Sequence, residues 1–306
     1  MRIGTRASAL ALAQAELVAE ALAKARSRSA GRPAIEIVSV LTSGDRGRRP
    51  GDKSRWVDAI EDALEAEEVD LAVHSAKDVP GELRAGLALL GAPARAAPED
   101  ALCGAKSLAV LPPGARVGTS SLRRSAQLRA AREDLQVSSM RGNVDTRLRK
   151  LAAGGEGLDA IVLARAGLQR LGREDAVGAV LDPATHVPAP GQGILALEGR
   201  ATDARARGAA DAIGDRQTFT CLLAERALAR ELEASCHTPL GAHAGHAGGG
   251  RLRLRAWLGL PDGSRWLSDE LEGEQETPTE LGREVARRMR LAGADELLGE
   301  AERLAV

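Results

Sequence analysis

GTSSLRRSAQLRAAREDLQVSSMRGNVDTRLRK, residues 118–150, is the stretch whose alternating strand and helix patterns predict the fold. A short apolar strand, Arg116–Gly118, leads into its opening Gly-Thr-Ser-Ser, and a helical pattern follows over Ser121–Arg132. A second strand pattern over Leu135–Ser138 precedes a second helix over Val144–Ala153. Alternation of this kind is typical of βαβ units on a mostly parallel sheet.

The same alternation runs through the first two thirds of the chain, and two segments rich in proline and glycine interrupt it. Pro93–Pro98 and Val187–Gly193 predict crossings between two lobes, because proline and glycine at this density end regular structure. Ile194–Glu198 then predicts a strand that returns to the first lobe. The last third has a different pattern, with a helix, three antiparallel strands and a closing helix over Thr277–Ala292. The predicted domains are 1–93 with 194–213, then 99–187, then 216–306.

Composition restricts the class of protein. The 306 residues carry a formal net charge of −1, and no apolar run reaches the roughly 18 residues of a membrane span. The N-terminus lacks the apolar core of a signal peptide, and three cysteines without framework spacing favour a reducing cytoplasm. Nucleic-acid binding predicts a basic domain with aromatic stacking residues, and the chain has one Phe, three Trp and no Tyr. A cytoplasmic protein that need be no more than a monomer is expected, without a nucleic-acid or membrane partner.

The arginines of the opening stretch predict an anion site. Guanidinium groups bind carboxylates and phosphates bidentately, and ligands of open α/β sheets lie where strands run into helices. The arginines at such transitions are Arg123, Arg124, Arg141 and Arg147. For Arg129 and Arg132, beside Glu133, a solvated helix face is the preferred interpretation.

Two helix starts carry hydroxyl groups after a strand. Gly4-Thr5 precedes Ser8, and Gly118-Thr119 precedes Ser120 and Ser121. Backbone N–H groups at a helix N-terminus attract anions, so each lobe is predicted to offer an anion site to a shared cleft.

The segment VHSAKDVP, residues 73–80, predicts a second functional cluster. Lys77 and Asp78 follow directly on an apolar strand and precede a proline turn. The alternative is a local ion pair in the turn. A carboxylate among cations stays ionised and is suited to stabilising positive charge that develops on a ligand.

Cys236, in the loop segment ASCHTPLG, is the candidate reactive thiol, since Cys103 and Cys221 lie in apolar runs that predict core positions. An idle surface cysteine is the alternative. The neighbouring histidines do not give the ligand spacing of a structural zinc site, so no metal is predicted.

In their order, these motifs resemble the porphobilinogen deaminase family, from Arg2 to the C-terminal domain. The matching blocks are GTRASALALAQA (4–15), LTSGD (41–45), AVHSAKDVP (72–80), VGTSSLRRSAQL (117–128), RGNVDTRLRKL (141–151), DAIVLARAGLQRLG (159–172), PAPGQGILALE (188–198) and AERALARELEASCHTPLGAHA (224–244). The fold that the resemblance implies is α/β. It has two similar βα lobes with mostly parallel sheets, of the type II periplasmic-binding-protein kind, and a small C-terminal α+β domain.

The resemblance also implies an activity and its residues. Four porphobilinogen molecules are deaminated and joined head to tail into hydroxymethylbilane, on a dipyrromethane cofactor held by a thioether to Cys236. Asp78 stabilises the positive charge on the pyrrole nitrogens. The residues that match positions binding cofactor and substrate are Arg6, Ser8, Gln14, Lys53, Ser75, Lys77, Thr119, Ser120, Ser121, Arg123, Arg124, Arg141, Gly142, Arg147 and Arg170.

The chain departs from the family pattern in one loop and at two single positions. The loop 46–58 has Arg55, Trp56 and Asp58 in place of the usual residue types. Ser235 stands where a glycine commonly precedes the cysteine, and Arg165 occupies a usually small position. A two-lobed anion-binding protein without catalysis remains the alternative function.

Overall fold

The structure is a computed structural model and describes residues 1–26, 34–41, 57–234 and 238–304. The chain divides into two compact units, each treated by itself below. Unit 1 comprises Met1–Ala96 and Ile194–Leu222, and unit 2 comprises Ala97–Gly193 and Leu223–Val306.

Unit 1 is built on a mixed sheet with the strand order β2-β1-β3-β10-β4. Its strands are β1 (Arg2–Arg6), β2 (Glu36–Val40), β3 (Leu71–Ser75), β4 (Leu87–Gly91) and β10 (Leu195–Arg200). β1 pairs in parallel with β2 and β3, whereas β10 runs antiparallel between β3 and β4. The predicted return of the chain to the first lobe is therefore confirmed.

Helices cover the sheet of unit 1, and the apolar side chains between them form its core. The helices are α1 (Ala9–Arg26), α2 (Asp58–Glu65) and α6 (Ala204–Ile213), followed by α7 (Arg216–Glu231), which continues into unit 2. Ile3, Leu22, Leu71 and Leu197 are wholly buried in one cluster. Burial of such side chains stabilises each by about 1.5–3 kcal/mol, which holds the strand ends in place.

Unit 2 contains a second mixed sheet with the order β7-β6-β8-β5-β9. Its strands are β5 (Asp100–Cys103), β6 (Arg116–Gly118), β7 (Gln136–Ser138), β8 (Ala160–Ala164) and β9 (Ala179–Leu181). Its helices are α3 (Leu122–Ala131), α4 (Val144–Ala152) and α5 (Arg165–Arg170). β6 is parallel to β7 and β8, while β5 runs antiparallel to β8 and β9. The sequence did not predict β5 or β9.

An antiparallel sheet with the order β11-β12-β13 completes unit 2. Its elements are β11 (Leu240–Gly248), β12 (Arg251–Gly259), β13 (Trp266–Glu274), α8 (Pro278–Leu291) and α9 (Ala294–Leu304). The sequence predicted one closing helix, but Gly293, at a φ of +99°, ends α8 and a ninth helix follows. The α/β class with two largely parallel sheets and a small antiparallel domain is confirmed. The division into three domains stays a prediction.

Arg129 joins α3 to the antiparallel part of unit 2. Its guanidinium donates to the carbonyl oxygens of Pro261 at 2.8 Å and Val137 at 3.1 Å. Gly263, in the same turn as Pro261, has a φ of +77°, and a Cβ there would lie 2.6 Å from the backbone nitrogen of Ala130. The interpretation of Arg129 as part of a solvated helix face is therefore wrong, because its half-buried guanidinium is bonded to two backbone carbonyls outside its helix. Among the described helices, none has the length and apolar character to span a membrane.

A buried carboxylate pair lies in unit 1. Glu61 on α2 is 3% exposed and Glu198 on β10 is fully buried, with His74 Nε2 3.0 Å from Glu198 Oε2. Burial and the charge of Glu198 raise the pKa of Glu61 from 4.5 to about 7, although Arg84, 3.1 Å away, acts in the opposite direction.

This pair makes folding stability depend on pH. Between about pH 4.5 and 7 the folded chain keeps a proton on Glu61 that the unfolded chain has lost, so stability falls as pH rises through that window. We expect the decrease in the free energy of unfolding between pH 5 and pH 8, measured with urea, to be about 1–3 kcal/mol smaller in Glu61→Gln than in the parent protein. Asp62→Asn, on the same helix and also bonded to Arg84, should leave the pH slope as it is. An unchanged slope in Glu61→Gln would show that Glu61 is ionised throughout.

Candidate active site

Five of the predicted site residues line one cavity in unit 1. They come from two separate blocks of sequence, 4–15 and 72–80, and are Arg6, Ser8, Gln14, Ser75 and Asp78. Arg6 ends β1 and Ser75 ends β3, and these strands are parallel neighbours. Their carboxyl ends therefore lie at the same edge of the sheet, where ligands of open α/β sheets bind.

Hydrogen bonds within the chain fix the polar groups of this cavity. Ser8 caps α1, since its Oγ accepts from the backbone nitrogen of Ala11 at 3.3 Å. The side chains of Gln14 and Ser75 bond to each other at 2.9 Å, which ties α1 to the end of β3. The polar side chains that line the cavity are thus held in place before any ligand binds.

Asp78 lies at the end of a 3₁₀ turn, Ala76–Asp78, directly after β3. The backbone nitrogen of Ala76 donates to Ile194 O at 2.9 Å, so the start of the turn is held against the segment that leads into β10. The Asp78 and Lys77 side chains are half-buried. Within the described residues the Asp78 carboxylate takes part in no ion pair, which disfavours the interpretation of a local ion pair in a turn.

In unit 2, Arg123 and Arg124 are buried around a single carboxylate. Asp100, the first residue of β5, is 1% exposed and lies 2.9 Å from Arg123 Nη2 and 2.8 Å from Arg124 Nη2. Burial acts to raise the pKa of Asp100, but the two guanidinium charges outweigh it and hold the pKa well below its usual range. The sequence placed both arginines at a ligand surface, whereas the structure gives them partners inside the domain.

Further hydrogen bonds of this pair go to backbone carbonyls. Arg123 Nη1 donates to Val187 O at 2.8 Å, and Arg124 Nη1 donates to Val162 O at 3.2 Å. The guanidinium planes are thereby fixed from several sides.

Arg147 and Arg170 are desolvated cations of a different kind. Burial lowers the pKa of Arg147, and the charge of Arg124 lowers it further; burial also lowers the pKa of Arg170 to about 10. Their side chains donate to the carbonyl oxygens of Gly142 and Gly193, at 2.8 and 2.7 Å. Neither pairs with a carboxylate in the part of the chain that the structure describes. An anionic ligand would therefore compensate the free-energy cost of burying these two charges.

The loops after β6 and β7 bring five more of the predicted residues to the same edge of the second sheet. Thr119, Ser120 and Ser121 follow β6, and Ser121 caps α3 by accepting from Arg124 N. Arg141 is exposed after β7. Gly142 has a φ of +122°, and a Cβ there would lie 2.8 Å from Thr146 Cγ2, so this position needs glycine.

Two predicted residues, Cys236 and Lys53, lie outside the described residues, as do Ser235 and most of the 46–58 loop. Conversely, the sequence missed Asp100 and its neighbour Gln192, whose Nε2 donates to Asp100 Oδ1 at 2.9 Å. Gln192 lies within the quoted PAPGQG block, but no local pattern marks Asp100.

Models of a known family match nearly the whole chain. "Porphobilinogen deaminase, dipyromethane cofactor binding domain" matches residues 1–208, and the porphobilinogen deaminase C-terminal domain matches residues 219–290. The chain belongs to the porphobilinogen deaminase family. It is therefore a transferase of tetrapyrrole biosynthesis, a hydroxymethylbilane synthase, with a dipyrromethane cofactor-binding domain.

Relatives named porphobilinogen deaminase match over nearly their full length. The protein of Thermus thermophilus is 43% identical over 97% of this chain and 98% of its own, and that of Deinococcus radiodurans is 43% identical over 97% of each. The protein of Xanthomonas euvesicatoria is 45% identical over 98% of this chain and 99% of its own. Among solved structures, a periplasmic substrate-binding protein of an ABC transporter from Coxiella burnetii is 13% identical, with a TM-score of 0.44, over 72% of this chain and 97% of its own.

The described residues fit the dipyrromethane cofactor of porphobilinogen deaminases. That cofactor carries several carboxylates, and unit 2 offers Arg147 and Arg170 as desolvated cations that have no carboxylate partner among the described residues. Asp78 has a carboxylate of the kind that would accept from pyrrole N–H groups, and it lines a cavity together with Arg6.

Proposed function

We propose that this chain joins four porphobilinogen molecules head to tail into hydroxymethylbilane, with Cys236 as the attachment point of the dipyrromethane cofactor and Asp78 as the catalytic carboxylate. The observation that carries the proposal is the convergence of Arg6 and Ser8, from one sequence block, and Asp78, from another, on one cavity. The bound cofactor supplies the free pyrrole α-carbon from which the chain is extended.

Asp78 acts on the charge that develops on the substrate. Loss of ammonia from porphobilinogen leaves a cation delocalised onto the pyrrole nitrogen, and a carboxylate that accepts from the pyrrole N–H stabilises it. The half-buried position of Asp78 strengthens that interaction, because the local dielectric is lower than that of water. Gln14 and Ser75, bonded to each other, keep the polar surface around it in one arrangement.

The cations of unit 2 hold carboxylates. Arg147 and Arg170 have guanidinium groups that are desolvated and lack carboxylate partners among the described residues, which favours direct contact with acetate and propionate groups. Arg141 is exposed at the same edge of the sheet, and Thr119, Ser120 and Ser121 line the start of α3. Arg123 and Arg124 support this surface from inside the domain.

The proposal also includes the cellular setting. The substrate is porphobilinogen, and the protein acts as a cytoplasmic monomer without a nucleic-acid or membrane partner. Buried thiols at Cys103 and Cys221, with no disulfide between them, agree with a reducing compartment.

Intact-protein mass spectrometry tests the proposal directly. Protein purified from cells should exceed its sequence mass by two linked pyrrole units and should convert porphobilinogen to a linear tetrapyrrole. An unmodified protein that binds carboxylates reversibly and turns nothing over would instead support the anion-binding alternative.

Replacement of Arg147 by lysine separates charge from geometry. We expect Arg147→Lys to raise the KM for porphobilinogen about tenfold, because lysine keeps the charge but loses the planar fork that holds a carboxylate. Steady-state kinetics provide the measurement. Arg149→Lys is the matched control, since Arg149 is exposed on the same helix, and its kinetics should be those of the parent protein. Equal KM values for both variants would exclude a bidentate role for Arg147.

A further inference from the structure

The carboxylate of Asp100 is the centre of a buried charge cluster that no sequence motif marks. Its Oδ2 accepts from Arg123 Nη2 and its Oδ1 accepts from Arg124 Nε, both at 2.9 Å. Gln192 Nε2 donates to the same Oδ1 at 2.9 Å and also to Pro98 O at 2.7 Å. Asp100 is 1% exposed, Arg123 4%, Arg124 7% and Gln192 1%, so the cluster is shielded from bulk solvent.

This cluster is not electrically neutral. Two guanidinium groups contribute two positive charges and Asp100 contributes one negative charge, which leaves one positive charge. The remaining acceptors, Val187 O, Val162 O and Gln192 Oε1, carry no formal charge. An isolated buried charge is unfavourable unless another charge compensates it, and the described residues offer no second carboxylate to this pair.

The excess positive charge of this cluster acts on Arg147, a cation of the proposed ligand-binding surface. The positive charge of Arg124 lowers the pKa of Arg147, whose guanidinium, unlike that of Arg124, has no carboxylate partner among the described residues. The two cations repel each other without a ligand, and an anion beside Arg147 would lower the energy of both.

We propose that Asp100 is a positioning residue of the carboxylate-binding surface: it fixes the Arg123 and Arg124 guanidinium groups and cancels one of their charges, which leaves one positive charge to act with Arg147 on ligand carboxylates. The inference rests on the proposed function and assigns a role to a residue that does not touch the ligand. Gln192 supports it by holding Oδ1 of Asp100.

A double-mutant cycle tests whether Asp100 acts through an arginine. The variants are Asp100→Asn, Arg124→Gln and the double variant, each measured for the fraction of protein that carries the two-pyrrole adduct and for the KM for porphobilinogen. Asp100→Asn keeps the shape but leaves two buried positive charges and misplaces both guanidinium groups. We expect its adduct fraction to fall several-fold and its KM to rise on the order of tenfold.

The double variant decides the mechanism. If Asp100 acts through Arg124, the double variant has the KM and adduct fraction of Arg124→Gln alone. Effects that multiply in the double variant, or a KM in Asp100→Asn equal to that of the parent, would overturn the proposal. Asp134→Asn, which loses an exposed carboxylate paired with Arg132, is the control and should change neither readout.

A second variant covers the case in which Asp100→Asn does not fold. Asp100→Glu keeps the negative charge and moves it by one methylene, so it should fold, raise KM several-fold and leave kcat within about twofold. An unchanged KM in that variant would overturn the proposal. A parent protein without the adduct and without turnover would instead refute the proposed function, which distinguishes the two failures.

Discussion

Asp78→Asn should lower the turnover of porphobilinogen by about 10²–10³-fold while the protein remains folded, because the amide removes the charge that stabilises a developing cation. Asparagine preserves the shape of the side chain, and Asp78 pairs with no cation among the described residues, so its loss leaves no buried charge without a partner. The loss should appear in kcat, since the charge it removes is needed in the transition state and not for substrate binding.

Two measurements accompany this variant. Intact mass reports whether the adduct is still present, and urea unfolding reports stability; both should be close to those of the parent protein. Glu82→Gln is the control, since Glu82 is an exposed carboxylate four positions downstream. Turnover within threefold of the parent in Asp78→Asn would refute the role of its charge.

Cys236→Ser should abolish the two-pyrrole mass increment and, with it, all tetrapyrrole formation. A serine hydroxyl is far less nucleophilic and less acidic than a thiol, so it does not replace the thioether. On the proposed function, the chain is extended from the free α-carbon of a cofactor that Cys236 holds at its other end, so loss of the thiol removes the primer as well as the tether. Mass spectrometry of the purified variant and an assay of tetrapyrrole formation check both parts.

Buried cysteines provide the control for this variant. Cys221→Ala removes a thiol from the interior of α7 and should keep the full mass increment, since that thiol is 5% exposed. An increment that persists in Cys236→Ser, or disappears in Cys221→Ala, would show that another residue holds the cofactor.

The parts of the fold that depend on local pattern were predictable from the sequence. Prolines and glycines over Val187–Gly193 mark the point where the chain leaves the second sheet, and β10 then returns to the first. The strand β5 was not predictable, because it has four residues and begins with an aspartate. The burial of that aspartate depends on groups distant in sequence, namely two arginines of α3 and Gln192.

Prediction of the candidate site from the sequence was limited in the same way. Motif order led to Arg6, Ser8 and Asp78, and the structure places all three around one cavity. The burial of Arg123 was not predictable, since its carboxylate partner lies 23 positions earlier in the chain. Arg129 was misjudged for a similar reason, because Pro261 O is 132 positions away. Local pattern identifies which residue types meet at a strand end, whereas long-range pairing decides which of them face solvent.

The turn at Gly263 limits how this protein can be recombined with its relatives. Its backbone lies so close to α3 that a Cβ would come within 2.6 Å of Ala130 N, and the neighbouring Pro261 O accepts from Arg129. The C-terminal sheet and the arginine-bearing helix are therefore a matched pair of surfaces within unit 2. A chimera that takes residues 223–306 from another parent will need α3 from that parent as well. The conserved activity of the family thus does not make its C-terminal domain an interchangeable part.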